Sequence, residues 1–354
     1  MKKVAFSLAS LYLLSTSAIS NAGSLTVANS NLEMGGGITA SYFYITNVGE
    51  EPNDKFTVTN LDFDLRSNIS SEITFEAGLG SSHLPDLIMP YDETEFEVEF
   101  AWVDIELTER FSVSAGKLLT NVGYELFDTF NNPNYHYGLV WYGQPVNYPG
   151  VRFTYNIDED VQIYGEYNHD NAGEIAGITP KDAAAAGIIG SIGNFNFALN
   201  YFDYAGTKNI ADIVIATQIA NFDVALNADY QWLDDGAKDT LKSLGATDVE
   251  DYGYGIALYL IPHITNHITV PVRIEYVYDG QSTNGTTVVD EGIYGISGDN
   301  AWSFTITPTW YPTKNTYLRG EFAYVVTDEK GFENEDGEEK DNRTLIGIEA
   351  GFLF

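Results

Sequence analysis

The feature that most constrains this chain is an alternation of apolar and polar side chains, repeated in short segments along almost its whole length. Successive residues of a β-strand point to opposite faces, so this alternation predicts strands with one apolar and one polar face. In one such segment Ile274 follows Arg273, and in another Phe100 and Trp102 alternate with Glu99. The pattern therefore predicts that Phe100 and Trp102 share an apolar face, and that the chain is all-β.

Counting every such segment predicts about sixteen strands, each of about 8 to 14 residues, which brackets the roughly 9 to 11 that a tilted strand needs to cross a bilayer. The predicted strands are 35–46, 56–68, 71–82, 94–107, 110–118, 150–157, 160–168, 184–193, 195–205, 209–219, 221–232, 251–261, 267–279, 300–311, 315–327 and 343–354. Alternation is least regular in the eighth and tenth of these segments. Aromatic residues gather near segment ends, as in the interfacial girdles of membrane barrels.

The predicted connections alternate between short and long. The short ones are 69–71, 107–109, 156–160, 194, 220 and 311–315; the long ones are 47–55, 83–93, 119–149, 169–183, 233–250, 280–299 and 328–342. Outer-membrane barrels have short periplasmic turns and longer external loops. We therefore predict a transmembrane antiparallel β-barrel with this asymmetry. The short connection at 206–208 is an exception, because a long connection is expected at that position.

The first residues indicate export. Two lysines precede an apolar run at 4–14, and Ser-Asn-Ala at 20–22 fits a cleavage site, so residues 1–22 are predicted to be a signal peptide. The apolar run is far shorter than the roughly 20 residues of a transmembrane helix. Residues 23–354 are then predicted to form one barrel domain.

Composition excludes several other classes of protein. The chain has 51 acidic and only 17 basic residues, which argues against nucleic acid as a partner. Its content of 44% hydrophobic and 14% aromatic residues argues against disorder. The sequence contains no cysteine, so thiol catalysis and thiolate metal sites are excluded. We predict no catalytic residues, no cofactor and no metal site, and hence no enzyme.

Two stretches resemble known outer-membrane proteins. Residues 344–354 alternate and end in Phe354, which resembles the closing strand of such proteins. The stretch 116–155 resembles the OmpL-like putative β-barrel porins in Gly116-Lys117, Gly123-Tyr124-Glu125, Asn132-Pro133-Asn134-Tyr135, Pro145 and Gly150-Val151-Arg152. This resemblance implies a diffusion channel in the lipid of the bacterial outer membrane. Similarity to general porins further implies a possible homotrimer.

The long connection 119–149 joins the fifth and sixth predicted strands, where general porins, which this chain resembles, fold a loop inward. Glu125 and Asp128 then become candidate acidic residues of a pore constriction. The candidate arginines that would face them are Arg66, Arg152, Arg273 and Arg319. Acids opposite bases across a narrow gap would orient dipolar solutes. Two alternatives stay open: the loop caps the barrel from outside, or the arginines neutralise neighbouring lumen carboxylates.

Acidic residues outnumber basic ones on the polar faces of the predicted strands. The candidate lumen acids are Asp62, Asp64, Glu72, Glu76, Glu95, Glu97, Glu99, Glu275 and Glu321, with Glu166, Asp229 and Glu349 in the same phase. Such an excess favours cations. We therefore predict a porin for passive diffusion of small hydrophilic solutes or ions, with modest cation preference. The alternative is a barrel serving as adhesin, receptor or structural anchor through acidic loops. About 16 strands leave an aqueous channel and about 8 do not, so barrel size distinguishes the two.

Overall fold

Sixteen strands form one closed antiparallel barrel, which agrees with the predicted number and fold class. The computed structural model describes residues 25–26, 32–89, 91–169, 182–290 and 292–354. The predicted signal peptide 1–22 lies outside the described residues, as does most of the predicted loop 169–183. No helix among the described residues is long and apolar enough to cross a membrane.

Each strand lies within a few residues of its predicted position, including the two with the least regular alternation. The strands are β1 Leu32–Ile45, β2 Asp54–Asn68, β3 Ile73–Pro85, β4 Glu97–Glu106, β5 Phe111–Leu119, β6 Asn147–Asn156, β7 Val161–Asn168, β8 Ala183–Ile192, β9 Phe195–Tyr204, β10 Lys208–Ile219, β11 Phe222–Leu233, β12 Tyr252–Thr265, β13 Ile268–Thr269 with Val272–Asp279, β14 Asn300–Ile306 with Thr309–Thr313, β15 Thr316–Thr327 and β16 Asn342–Leu353. Local alternation was therefore sufficient to locate the barrel wall.

The barrel closes through β1 and β16. Their register runs from Gly37 opposite Leu353 to Ile45 opposite Leu345. Closure removes the free edges that an open sheet would expose, which in lipid would leave backbone N–H and C=O groups without partners. The closed ring is therefore suited to a bilayer.

Two neighbouring strands, β13 and β14, are each interrupted next to a proline. Proline has no N–H to donate to a ladder, so Pro271 and Pro308 break the regular pairing. The backbone N–H of Thr307 donates to the carbonyl of Pro271 at 2.8 Å. The two strands therefore stay joined across the break.

The connections are short at one end of the barrel and mostly long at the other. The short-turn end has 69–72, 107–110, 157–160, 193–194, 220–221, 266–267 and 314–315; the opposite end has 46–53, 86–96, 120–146, 169–182, 205–207, 234–251, 280–299 and 328–341. Several long loops carry their own structure: helix α1 (Asp235–Ser243), the hairpins Ser282–Asn284 with Thr287–Asp290 and Phe332–Glu333 with Glu339–Lys340, and strand Tyr91–Glu93, which pairs with β3.

The outer face of the barrel is apolar and exposed. Leu199 and Ile256, for example, expose 44% and 43% of their surface. Near the long-loop end, aromatic rings contact one another from strand to strand, with Tyr252 and Tyr278 at 5.3 Å and Tyr276 and Trp302 at 4.7 Å. An exposed apolar band bordered by amphipathic rings suits hydrocarbon and its interface with headgroups.

One β-bulge changes which side chains face inward. The register between β3 and β4 shifts between Gly78 and Leu79, which inserts one extra residue in β4. Glu99 and Phe100 are consequently both buried inside the barrel. Trp102 also points inward, and its Nε1 donates to an inner carboxylate two residues further along at 2.8 Å. Phe100 and Trp102 therefore share a face, as predicted, but it is the inner face with its carboxylates, so the predicted apolar character of that face is wrong.

Candidate functional site

The connection 120–146, called here the inward loop, lies inside the barrel. Its residues Tyr135 and His136 have no exposed surface. The backbone N–H of Tyr135 donates to Glu321 of β15 at 2.8 Å, and the side chain of Asn60 on β2 donates to Thr129 at 3.1 Å. The inward loop thus contacts wall strands that are far apart in the sequence.

Short-range contacts give the inward loop a defined shape. The side chain of Asn132 accepts a hydrogen bond from the N–H of Leu126 and donates to its carbonyl, both at 2.8 Å. The rings of Tyr137 and Trp141 stack at 4.2 Å. Two 3-10 turns, Thr129–Asn131 and Val140–Gly143, add regular backbone structure. The loop therefore enters the barrel as a folded segment.

Arg273 of β13 is the central anchor of the inward loop. Its guanidinium is fully buried, forms an ion pair with Glu125 of the loop, and lies 3.1 Å from Glu275 on the wall. It also donates to the carbonyl of His136 at 3.0 Å. Glu125 accepts a further hydrogen bond from the N–H of Gly138 at 2.7 Å. The sequence-predicted pair Glu125 and Arg273 therefore comes together.

Arg319 of β15 forms a second anchor, at a different part of the loop. It pairs with Glu349 of β16 at 2.6 Å and donates to the carbonyls of Asn132 at 3.0 Å and Thr129 at 3.2 Å. Its guanidinium also lies over the ring of Tyr135 at 5.6 Å. A charge buried this deeply is tolerable because an opposite charge and carbonyl oxygens surround it.

The other two candidate arginines also pair with wall carboxylates. Arg152 forms an ion pair with Glu166 and donates to the carbonyl of Leu119 at 2.6 Å. Arg66 lies 3.4 Å from Glu76, and 47% of its side chain is exposed. All four arginines thus lie beside carboxylates: Arg273 beside an acid of the loop and one of the wall, and the other three beside wall acids. Among the described residues, none of the four forms an ion pair with Asp128.

The candidate lumen acids fall into three groups. Asp62, Glu99, Glu275 and Glu321, with Glu166, Asp229 and Glu349, are buried, whereas Asp64 and Glu76 are partly exposed. Glu97 is the exposed first residue of β4. Glu72 and Glu95 precede the first residues of β3 and β4, so the structure places them in connections rather than on the inner wall.

Asp128 of the inward loop lies close to two of those buried acids. Asp62, Glu99 and Asp128 each offer a carboxylate oxygen within 4.8 Å of the others, and we call these three residues the acidic triad. Burial and the neighbouring charges of Asp64, Asp62 and Glu99 raise the pKa of the Asp128 carboxyl well above its ordinary value. The triad thus joins the loop to β2 and β4 without an opposite charge among the described residues.

Sequence reasoning missed several anchors of the inward loop. His136 pairs with Glu321, Lys208 donates to the carbonyl of Gly143 at 3.1 Å, and Gln144 donates to Asp229 at 2.9 Å. Asp229 lies on the polar phase of its strand, which was visible in the sequence. Which loop atom each of these groups meets was not visible, because the partners are far apart in the chain.

The inner face of the barrel therefore has two parts. In the first, the packed sector on β8 to β16, polar side chains are buried against the inward loop and against one another. The second, the water-facing sector, lies on β2 to β5 toward the short-turn end. Its partly or fully exposed inner residues are Asp64, Arg66, Glu76, Asp104 and Ser114.

A sixteen-stranded barrel with an apolar outer band and a folded loop inside defines an outer-membrane porin. The chain matches the family model described as "Putative beta-barrel porin-2, OmpL-like" over residues 44–354. The chain belongs to this family, and its location is the bacterial outer membrane. No curated protein sequence matches it.

Solved porin structures share the fold at low sequence identity. OmpF of Salmonella typhi, solved in complex with daunomycin, is 13% identical, with a TM-score of 0.60, covering 93% of this chain and 100% of its own. In-vitro folded OmpT of Vibrio cholerae in its trimer form is 11% identical, with a TM-score of 0.59, covering 91% and 99%. An anion-selective porin from Comamonas acidovorans is 11% identical, with a TM-score of 0.57, covering 92% and 100%.

Proposed function

We propose that this porin is a non-enzymatic pore for passive diffusion of small hydrophilic solutes or ions, narrowed by the inward loop. The observation that carries the proposal is the position of residues 120–146 inside a barrel of sixteen strands, a size that otherwise leaves an aqueous channel. A barrel serving only as an anchor for external loops needs no such internal segment.

A modest preference for cations follows from the charges that remain after pairing. Arg152, Arg273 and Arg319 are each matched by a buried carboxylate. In the water-facing sector, Asp64, Glu76 and Asp104 face the single base Arg66. A ring with more acids than bases favours cations, although salt screens charges separated by more than about 8 to 10 Å.

Single-channel current in a planar bilayer under a salt gradient tests this proposal, using the refolded chain without residues 1–22. We expect a stable conductance and a reversal potential of the sign that cation preference gives. Folded barrels that insert without passing current would overturn the pore. An anion-type reversal potential would overturn the preference alone.

The role of the inward loop has its own test. A variant in which a short Gly-Ser link replaces residues 121–145 should conduct more than the wild type, because the segment that fills the lumen is gone. The matched control replaces residues 332–340, a hairpin in the connection between β15 and β16, with the same link. Equal conductance of both variants and the wild type would show that the inward loop does not narrow the pore.

We also propose that the barrel assembles as a homotrimer, on the support of a similar protein that is described in a trimer form. Mass measurement of the native protein in mild detergent tests this assembly. A trimer mass is expected, and a monomer at every protein concentration would contradict it.

A further inference from the structure

The acidic triad has an unusual composition for a buried site. Asp62 on β2, Glu99 on β4 and Asp128 on the inward loop are 2%, 3% and 9% exposed. Their carboxylate oxygens lie within 4.8 Å of one another. Three carboxylates brought together from two strands and a loop can share one ligand and so fasten the loop to the wall.

The triad has no basic side chain in direct contact among the described residues. In the part of the chain that the structure describes, none of its members forms an ion pair with lysine, arginine or histidine. The nearby Lys117 instead donates to the carbonyl of Val98 at 2.8 Å and lies 3.8 Å from Glu97. Burying carboxylates without a compensating charge is costly, so an external positive charge would stabilise the site.

A second observation points to a ligand. The Oδ2 atom of the buried Asp62 carboxylate accepts no hydrogen bond from any residue that the structure describes. Opposite it, Gly80 of β3 has no side chain, and a Cβ there would lie 1.8 Å from Asp62 Oδ1 and 2.7 Å from Glu99 Oε1. Gly80 thus leaves room for the carboxylates of Asp62 and Glu99, and the second oxygen of the Asp62 carboxylate has no partner within the described part of the chain.

We propose that the acidic triad binds one Ca²⁺ ion, which fastens the inward loop to β2 and β4. Ca²⁺ takes six to eight oxygen ligands at roughly 2.3 to 2.6 Å and accepts bidentate carboxylates in flexible geometry. Three carboxylates around one ion match these distances. Mg²⁺ requires a stricter octahedron and retains several waters, which suits this compact set of donors less well. The site requires the folded barrel, whether or not the barrel conducts.

Calcium binding to the whole refolded chain, stripped with chelator in detergent, tests the proposal. Equilibrium dialysis with radioactive calcium near neutral pH should reveal one tight site per chain above weak surface binding. Asp128→Asn and Asp62→Asn should each weaken that site by at least about tenfold, as ligand-shell changes commonly do. Glu76→Gln is the matched control, because it removes an inner acid outside the triad and should leave the tight site unchanged.

Two glycine variants that keep the net charge of the protein distinguish loss of the metal site from a general change in electrostatic attraction. Gly80→Ala should displace the Asp62 carboxylate and weaken the tight site while leaving the net charge unchanged. Gly165→Ala is its control, because a Cβ there would meet no atom within 4 Å. If Asp128→Asn fails to fold, as judged by heat-modifiable electrophoretic mobility, the glycine pair still decides.

Three outcomes would overturn the proposal. Wild-type protein without a tight site would show that shared protons, and no metal ion, neutralise the triad. A tight site that survives both Asp128→Asn and Gly80→Ala would lie elsewhere on this acidic protein. Displacement of calcium by an equal concentration of Mg²⁺ would overturn the assignment of the ion. None of these measurements depends on conductance, so they fail separately from the pore proposal.

Discussion

The packed sector and the water-facing sector use the same residue types for different purposes. In the packed sector, Arg273 is fully buried between Glu125 and Glu275. In the water-facing sector, Arg66 keeps nearly half of its side chain in water beside Glu76. A buried charge without its partner is strongly destabilising, whereas an exposed pair contributes little. An arginine–carboxylate pair therefore anchors a loop in the packed sector, whereas a pair of the same kind only adjusts the local electrostatic potential in the water-facing sector.

Removing an arginine from each sector should give the largest contrast. Arg273→Met leaves two carboxylates buried without an opposite charge and should lower the free energy of unfolding by about 3–5 kcal/mol. Arg66→Met should change it by about 0–1 kcal/mol. Urea unfolding of the refolded barrel, followed by tryptophan fluorescence, measures both. Equal losses would show that the two sectors do not differ in hydration.

A smaller contrast is expected for two serines that donate to carboxylates. Ser303 in the packed sector donates to Glu275 at 2.6 Å, whereas the partly exposed Ser114 donates to Asp104. Ser303→Ala should cost about 1.5–3 kcal/mol, because the carboxylate loses a buried donor. Ser114→Ala should stay within about 0.5 kcal/mol, since water replaces the hydroxyl. The same unfolding assay applies, and a larger loss for Ser114→Ala would contradict the division.

The smallest effect is expected on ion selectivity. Asp64→Asn together with Asp104→Asn should reduce cation preference, with a permeability ratio that changes by less than about twofold because salt screens the lumen. Asp212 of β10 and Asp229 of β11 are buried neighbours in the packed sector. Asp212→Asn with Asp229→Asn removes the same charge there and should leave the ratio unchanged. Reversal potentials under a salt gradient measure both double variants. A larger shift from the packed sector would mean that ions pass on that side.

The barrel wall could be predicted from the sequence because alternation is a local property. Even β8 (Ala183–Ile192), where small apolar residues blur the pattern, was placed within one residue. The bulge in β4 was missed because the residues around Glu99 alternate without interruption. The sequence feature that accompanies the bulge is on the neighbouring strand, where Gly78 and Gly80 make room for Phe100 and Glu99.

The contacts of the inward loop could be predicted only in part. Glu125 was identified as a site candidate and Arg273 as an inward arginine, yet 148 positions separate them and no local pattern joins them. Likewise, nothing in the sequence around Asp128 indicates that Asp62 and Glu99 lie beside it. The partners of such residues depend on how a long segment crosses the lumen, which strand periodicity does not determine.

The pairing of β1 with β16 has a consequence for how the barrel forms. Contacts across this closure join residues that are far apart in the sequence, such as Asn47 and Arg343, which are 296 positions apart. Contacts of such long range make folding slow, because the chain loses conformational entropy before these stabilising contacts form. Until β16 is in place, β1 and β15 each present an unpaired edge that can join another chain. Pairing of the last strand therefore removes the edges through which the barrel could aggregate, and the chain needs protection from aggregation until that pairing forms.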